Sequence, residues 1–272
     1  MPSPLYALHG NLQTPAVWER FDGMVHGPDG QPLEWRTQDL WADTTQALLT
    51  DALAQDKNPF RTWAADFCQR VERETTAAEQ KERAADDNRP WLLGYSLGGR
   101  LALHALVEQP TLWRGAIIVG ADSGLADENA KAARLAHDQH WGERFLSEPW
   151  EQLLAEWDAQ GVFGGRANAR APREGDFDRE KIARLFDAFS KGRQDDLLPE
   201  LSRLPEPPVL FLAGADDPAY SAVGEKLAAA CPTFTFRAAP GAAHRVPWEA
   251  PAAFTRAVQD FIGSGHEPTL VV

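Results

Sequence analysis

Cysteine is nearly absent from this chain, with two copies among 272 residues. Cys68 and Cys231 form no CxxC pair, and two thiols make no disulfide framework. Reduced thiols fit a cytoplasmic enzyme. Long apolar runs are missing as well. No stretch approaches the ~18 apolar residues that span a bilayer. Met1 to Gly10 has neither a basic n-region nor a long apolar run, which argues against a secretory signal. Basic charge is in deficit: 27 Lys and Arg stand against 40 Asp and Glu, a formal net charge of -13. An acidic chain repels phosphate backbones and anionic lipid, so nucleic acid and membranes are poor partners. A few arginines can still make one cleft positive. No internal repeat is visible, and the sequence leaves the oligomeric state open.

What is present is an ordinary globular composition, 43% apolar and 25% charged. Short apolar runs read as strands at Leu5 to His9, Leu33 to Leu40, Pro90 to Tyr95, Gly115 to Gly120, Pro208 to Ala213 and Thr233 to Ala238. Helical patterns fall at Pro15 to Arg20 (with Thr14 as N-cap), Pro59 to about Glu74, Leu97 to Val107, Ala219 to Ala230 and Ala250 to Ile262. The charged stretch Glu72 to Asp87 reads as a solvated helix end and loop. Alternating strands and helices predict a mostly parallel sheet covered on both faces. Residues 123–204 hold helical patterns and no convincing strand. They are expected to form a helical cap inserted into a core of residues 1–122 and 205–272, over the C-terminal edge of the sheet. The cap's large aromatics are expected to face the pocket beneath it. Gly161 to Asp176 reads as a loop within the cap.

Gly94-Tyr-Ser96-Leu-Gly98-Gly is a G-x-S-x-G motif between a predicted strand and a predicted helix, the context that a nucleophile elbow requires. Ser96 is the candidate nucleophile. A serine needs an adjacent base, and in this fold the acid and then the histidine follow it in the chain. Gly214-Ala-Asp216-Asp217 follows a predicted strand; the G-x-x-D spacing selects Asp217 and leaves Asp216 as a solvated loop residue. His244 follows the last strand, in His-x4-Glu249-x-Pro251. His137 and His140 share a cap helix with Asp138, and without a further ligand set they read as a solvated face and not as a metal site. The oxyanion hole is assigned to the N–H of Leu97 and that of Asn11 or Leu12, with His9 stabilising the loop. No metal and no cofactor are expected.

The segment Gly94 to His104 resembles the nucleophile region of the 2-succinyl-6-hydroxy-2,4-cyclohexadiene-1-carboxylate (SHCHC) synthases of menaquinone biosynthesis, which have the α/β-hydrolase fold. Arg100, four residues after the serine, carries the resemblance beyond generic esterases. Ala132 to Pro149 resembles the family's first cap helices, and Trp157 to Phe163 its later cap segment. The resemblance implies a small anionic polycarboxylate substrate. By position, Arg100 and Arg134 would hold carboxylates, with Tyr95 and Trp157 lining the pocket. The sequence departs from the family at Asp158, where a tyrosine is expected, and at Gly161, where a proline is. An aspartate would repel an anion unless it points away. A further cap arginine has no secure counterpart; Lys191 or Arg193 can replace it. The expected reaction is elimination of pyruvate. A carboxylic-ester or thioester hydrolase using the same residues through an acyl-serine, and a non-enzymatic binding protein, are the alternatives.

Overall fold

Successive residues of each inner strand point into two different cores. Tyr6, Leu8, Leu92, Ala116, Ile118, Val209 and Phe211 enter one. Leu5, Ala7, Trp91, Leu93, Ile117, Val119, Leu210 and Leu212 enter the other. This is the period-two geometry of a strand, and because both faces are covered the inner strands are apolar throughout.

The computed structural model describes residues 3–79 and 89–264. Its strands are β1 (Pro4–Leu8), β2 (Glu34–Gln38), β3 (Trp91–Tyr95), β4 (Gly115–Val119), β5 (Val209–Gly214) and β6 (Phe234–Ala239). They form one sheet of order β2-β1-β3-β4-β5-β6, with every pairing parallel. The helices are α1 (Asp43–Ala54), α2 (Pro59–Glu79), α3 (Leu97–Glu108), α4 (Glu128–Ser147), α5 (Trp150–Asp158), α6 (Arg179–Ala188), α7 (Leu198–Leu201), α8 (Pro218–Ala230), α9 (Val246–Glu249) and α10 (Pro251–Gly263). Leu49 of α1, Phe60 and Phe67 of α2, Leu101 of α3 and Leu227 of α8 cover the first face. Phe254, Val258 and Phe261 of α10 cover the second, beside Trp18 and Phe21.

Strand order reverses between β1 and β3. The chain leaves β1 toward β2, then returns past β1 to build the rest of the sheet on the other side. At such a switch point the loops after the two central strands part and leave a crevice at their carboxyl ends. The loops after β1 and β3 begin at His9 and Ser96.

Some local readings need correction. Pro15–Phe21 is a 3-10 helix, not an α-helix, and the Thr14 side chain caps nothing; its carbonyl accepts from Val17 N at 3.1 Å. Trp18 and Phe21, three residues apart and both buried, fall on one face of this short piece. Helix α1 escaped the sequence reading because its buried positions, Gln46, Leu49 and Ala52, include a glutamine and an alanine. The final helix stands as expected, as α10, and a short helix the sequence did not announce, α9, precedes it. The predicted charged stretch lies outside the described residues from position 80 onward. Between β4 and β5, residues 123–204 carry helices and short turns and no strand.

Candidate active site

Ser96 caps α3 with φ 53° and ψ -112°, outside the regions that L-residues favour. The turn that imposes this conformation depends on close backbone packing. A Cβ on Gly98 would stand 2.4 Å from the Leu8 carbonyl oxygen, so only glycine lets α3 approach β1. The Ser96 N–H donates to the Val119 carbonyl at 2.8 Å, which ties the turn to β4.

The loops after β5 and β6 bring the other two groups to Ser96. Asp217 caps α8: its Oδ1 accepts from Tyr220 N at 3.2 Å. Its Oδ2 faces His244 Nδ1 at 3.2 Å. His244 Nε2 lies 3.2 Å from Ser96 Oγ. Asp217 and His244 are both buried. A Cβ on Gly214 would meet the Ala243 carbonyl oxygen at 2.1 Å, so the glycine of G-x-x-D lets the acid loop pass the histidine loop. Glu249 of the His-x4-Glu pattern holds that loop from below, its Oε2 accepting from Ala243 N at 2.6 Å. Asp216 turns outward and ion-pairs Arg166.

His9 holds the loop after β1. Its Nε2 accepts from Leu40 N at 3.2 Å, which leaves Nδ1 as the donor toward the Gly10 carbonyl at 2.9 Å. Burial lowers its pKa to about 4, against the help of the Gly10 hydrogen bond, so the ring is neutral at pH 7. Leu12 follows with φ 53°. Asn11 and Leu12 line the cleft beside Ser96. Leu97, in the first turn of α3, has an N–H with no partner inside the helix.

A cleft of about 480 Å³ opens over Ser96. Arg100, Arg134 and Lys191 enter it, against Asp122 as the one lining carboxylate among the described residues. Arg100, one turn along α3 from Ser96, is buried and donates from Nη1 to the Phe189 carbonyl at 2.8 Å. Its guanidinium lies 5.4 Å from the Phe60 ring. Burial lowers its pKa to about 10, and the nearby Arg134 cation adds to the shift. Arg134 is half-exposed, and its Nε meets both oxygens of Asp138 at 2.8 and 2.9 Å. Asp138 is therefore no solvated neighbour of His137 and His140, as the sequence suggested. It is buried and also accepts from Ser190 Oγ at 2.7 Å. Lys191 pairs with Asp122 at 2.5 Å in the cleft, whereas Arg193 is turned to Asp187. Between the two candidates for the missing cap arginine, position favours Lys191.

Trp157 borders the cleft, and so does Phe163. Trp141 and Trp150 do not face it as expected. They are buried in α4 and α5, Trp141 edge-on to Trp157 at 5.3 Å and Trp150 stacked on Phe177 at 5.8 Å. Both rings belong to the same buried cluster as the sheet face that α1, α2, α3 and α8 cover, so α4, α5 and α6 share that core. Tyr95 is fully packed, 5.4 Å from the His244 ring and 4.8 Å from Trp248, and touches the cleft near Leu12. Asp158 turns to Arg245, and their charges compensate each other. Sequence reasoning missed Tyr220, whose ring is 4.7 Å from that of His244, and Arg245. Each sits beside a motif residue, but only the loop geometry turns them to the cleft.

The model of the alpha/beta hydrolase family matches residues 7–257. An SHCHC synthase of Serratia proteamaculans is 38% identical over 179 residues, 64% of this chain and 68% of the relative. One from Klebsiella pneumoniae is 36% identical over 144 residues, 51% of this chain and 56% of the relative. MenH from S. aureus superposes with a TM-score of 0.74 at 17% identity, covering 97% of this chain and 95% of its own. Naproxen esterase from Bacillus subtilis gives 0.52 at 17% identity, covering 96% and 83%. The two structures share this chain's fold and carry different names, so fold alone does not select a reaction. The chain belongs to the alpha/beta hydrolase family, and within that family it resembles the SHCHC synthases.

Proposed function

We propose that the protein is an SHCHC synthase-like lyase that eliminates pyruvate from an enolpyruvyl succinyl-cyclohexene carboxylate, in the cytoplasm and as a step of menaquinone biosynthesis. The observation that carries this reading is charge. In a chain of net charge -13, the cleft over Ser96 gathers Arg100, Arg134 and Lys191 around a single lining carboxylate among the described residues. Such a cleft concentrates and orients a small anionic polycarboxylate.

His244 takes the Ser96 hydroxyl proton, and Asp217 steadies the imidazolium that results. The Ser96 oxygen then removes the proton beside the succinyl carbonyl. The electron pair passes into an enolate whose charge rests on the N–H of Leu97 and that of Asn11 or Leu12. As the enolate collapses, its electron pair shifts the ring double bond and breaks the ring C–O bond to the enolpyruvyl group; the departing oxygen is protonated from His244, and the enolpyruvate released tautomerises to pyruvate. No metal or organic cofactor enters this sequence. The test is pyruvate release from the enolpyruvyl precursor, followed beside hydrolysis of p-nitrophenyl acetate. Release far above the rate in buffer is expected. Brisk ester hydrolysis without pyruvate would instead identify a serine hydrolase working through an acyl-Ser96 intermediate.

A further inference from the structure

Two cavities adjoin at Ser96. Arg100, Arg134 and Lys191 stand on one side. On the other, a recess of about 30 Å³ runs past Tyr95 and Leu12 to Arg245. Ser96, Trp157, Phe163 and His244 border both parts.

Arg245 follows His244 in the chain and is 4% exposed. Its Nη2 engages Asp158, and the Phe163 ring centre lies 3.7 Å from its guanidinium carbon. Its Nη1 is buried with no hydrogen-bond partner. Native proteins rarely leave a buried cationic donor unmet, because the group has given up water for nothing. Phe163 covers a face of the guanidinium, so a ligand meets it edge-on, the approach that suits a carboxylate.

We propose that Arg245 is a second carboxylate anchor, a specificity-determining residue that holds one end of a dianion in the narrow recess while the Arg100 side holds the other. The reacting carbon is then stretched across Ser96. Asp158 compensates the buried cation, which gives the departure from the family's tyrosine a purpose. Because Nη1 is closed to solvent, the recess widens as a carboxylate enters. The inference rests on the polyanion reading above, and asks how many anchors the site has.

The experiment measures binding of α,ω-dicarboxylates from succinate to suberate, and of monocarboxylates of equal length, by quenching of tryptophan fluorescence and by calorimetry. The wild-type protein is expected to prefer one dicarboxylate over its matched monocarboxylate by about tenfold or more, the strength of one charge-assisted contact. Arg245→Gln should abolish that preference while leaving monocarboxylate affinity within about twofold. Asp158→Asn, which keeps the cation and removes its competitor, should keep or increase it. Wild-type preference surviving in Arg245→Gln overturns the proposal, as does a wild-type protein with no preference. If Arg245→Gln does not fold, the Asp158→Asn protein decides, and a preference below wild type overturns the proposal. Pyruvate release by the wild-type enzyme is scored separately. Its absence beside an intact dicarboxylate preference removes the lyase reading alone, and its presence without that preference removes this inference alone.

Discussion

His244 Nδ1 lies 3.2 Å from Asp217 Oδ2, while Asp216, one residue earlier, reaches out to Arg166. The helix cap explains the difference. Asp217 is fixed by its bond to Tyr220 N at the start of α8, and its second oxygen is left facing the imidazole. Asp217→Asn should lower kcat by about 10⁴-fold, since an amide cannot hold the productive tautomer. Asp216→Asn should change it less than about threefold, the effect of losing an exposed ion pair. Ser96→Ala should match or exceed the Asp217 loss. Steady-state rates on folded protein, checked by thermal melts, test the ranking; the reverse order would transfer the role to Asp216.

The arginines separate anionic from neutral substrates. Arg134→Ala should reduce kcat/KM for the enolpyruvyl precursor by roughly 10- to 150-fold, the worth of one charge-assisted hydrogen bond at ~1.5–3 kcal/mol. Its effect on p-nitrophenyl acetate should be small. Arg100→Ala should show the same selectivity with a lower melting temperature, because Arg100 also donates to Phe189 and packs on Phe60. Equal losses on both substrates would argue for an esterase.

Trp157 joins the cleft to the larger apolar cluster, edge-on to Trp141 at 5.3 Å and to Phe186 at 5.5 Å. Trp157→Ala should raise KM more than it lowers kcat, with a stability loss of about 1–3 kcal/mol in urea titration. A KM at the wild-type value, with stability alone reduced, would make Trp157 a packing residue only.

Two histidines outside the site should shape stability against pH. Burial lowers His9 and His104 each to about 4. The unfolded chain, with histidines near 6.5, therefore binds more protons than the native state between about pH 6.5 and pH 4. The stability held by the neutral rings is complete above pH 6.5 and is lost as pH falls toward 4, by up to roughly 3 kcal/mol per histidine. Unfolding free energies at pH 7.5 and pH 5 test this. His104→Leu should flatten the slope, and an unchanged slope would mean that His104 is not held neutral.

Much of this protein was legible along the chain. The inner strands are apolar because both of their faces are buried, and that continuous pattern shows in any window of five residues. Ser96 is legible because an elbow demands glycines within two residues, a strand before it and a helix after it. His-x4-Glu is legible because Glu249 must reach back to Ala243 N. These are constraints between near neighbours, and sequence spacing records them.

Tertiary structure decided what lies between distant segments. Helix α1 buries a glutamine and an alanine, so its own pattern barely marks it. Whether Asp158 repels a substrate depended on a partner 87 residues away, Arg245. Whether Lys191 or Arg193 joins the cleft depended on where Asp122 and Asp187 stand in space. Trp141 and Trp157 share one residue type and lie on neighbouring helices, yet the first is buried and the second borders the cleft. Side-chain direction and long-range charge pairing arise from how helices and loops pack on the sheet, and no local spacing encodes them.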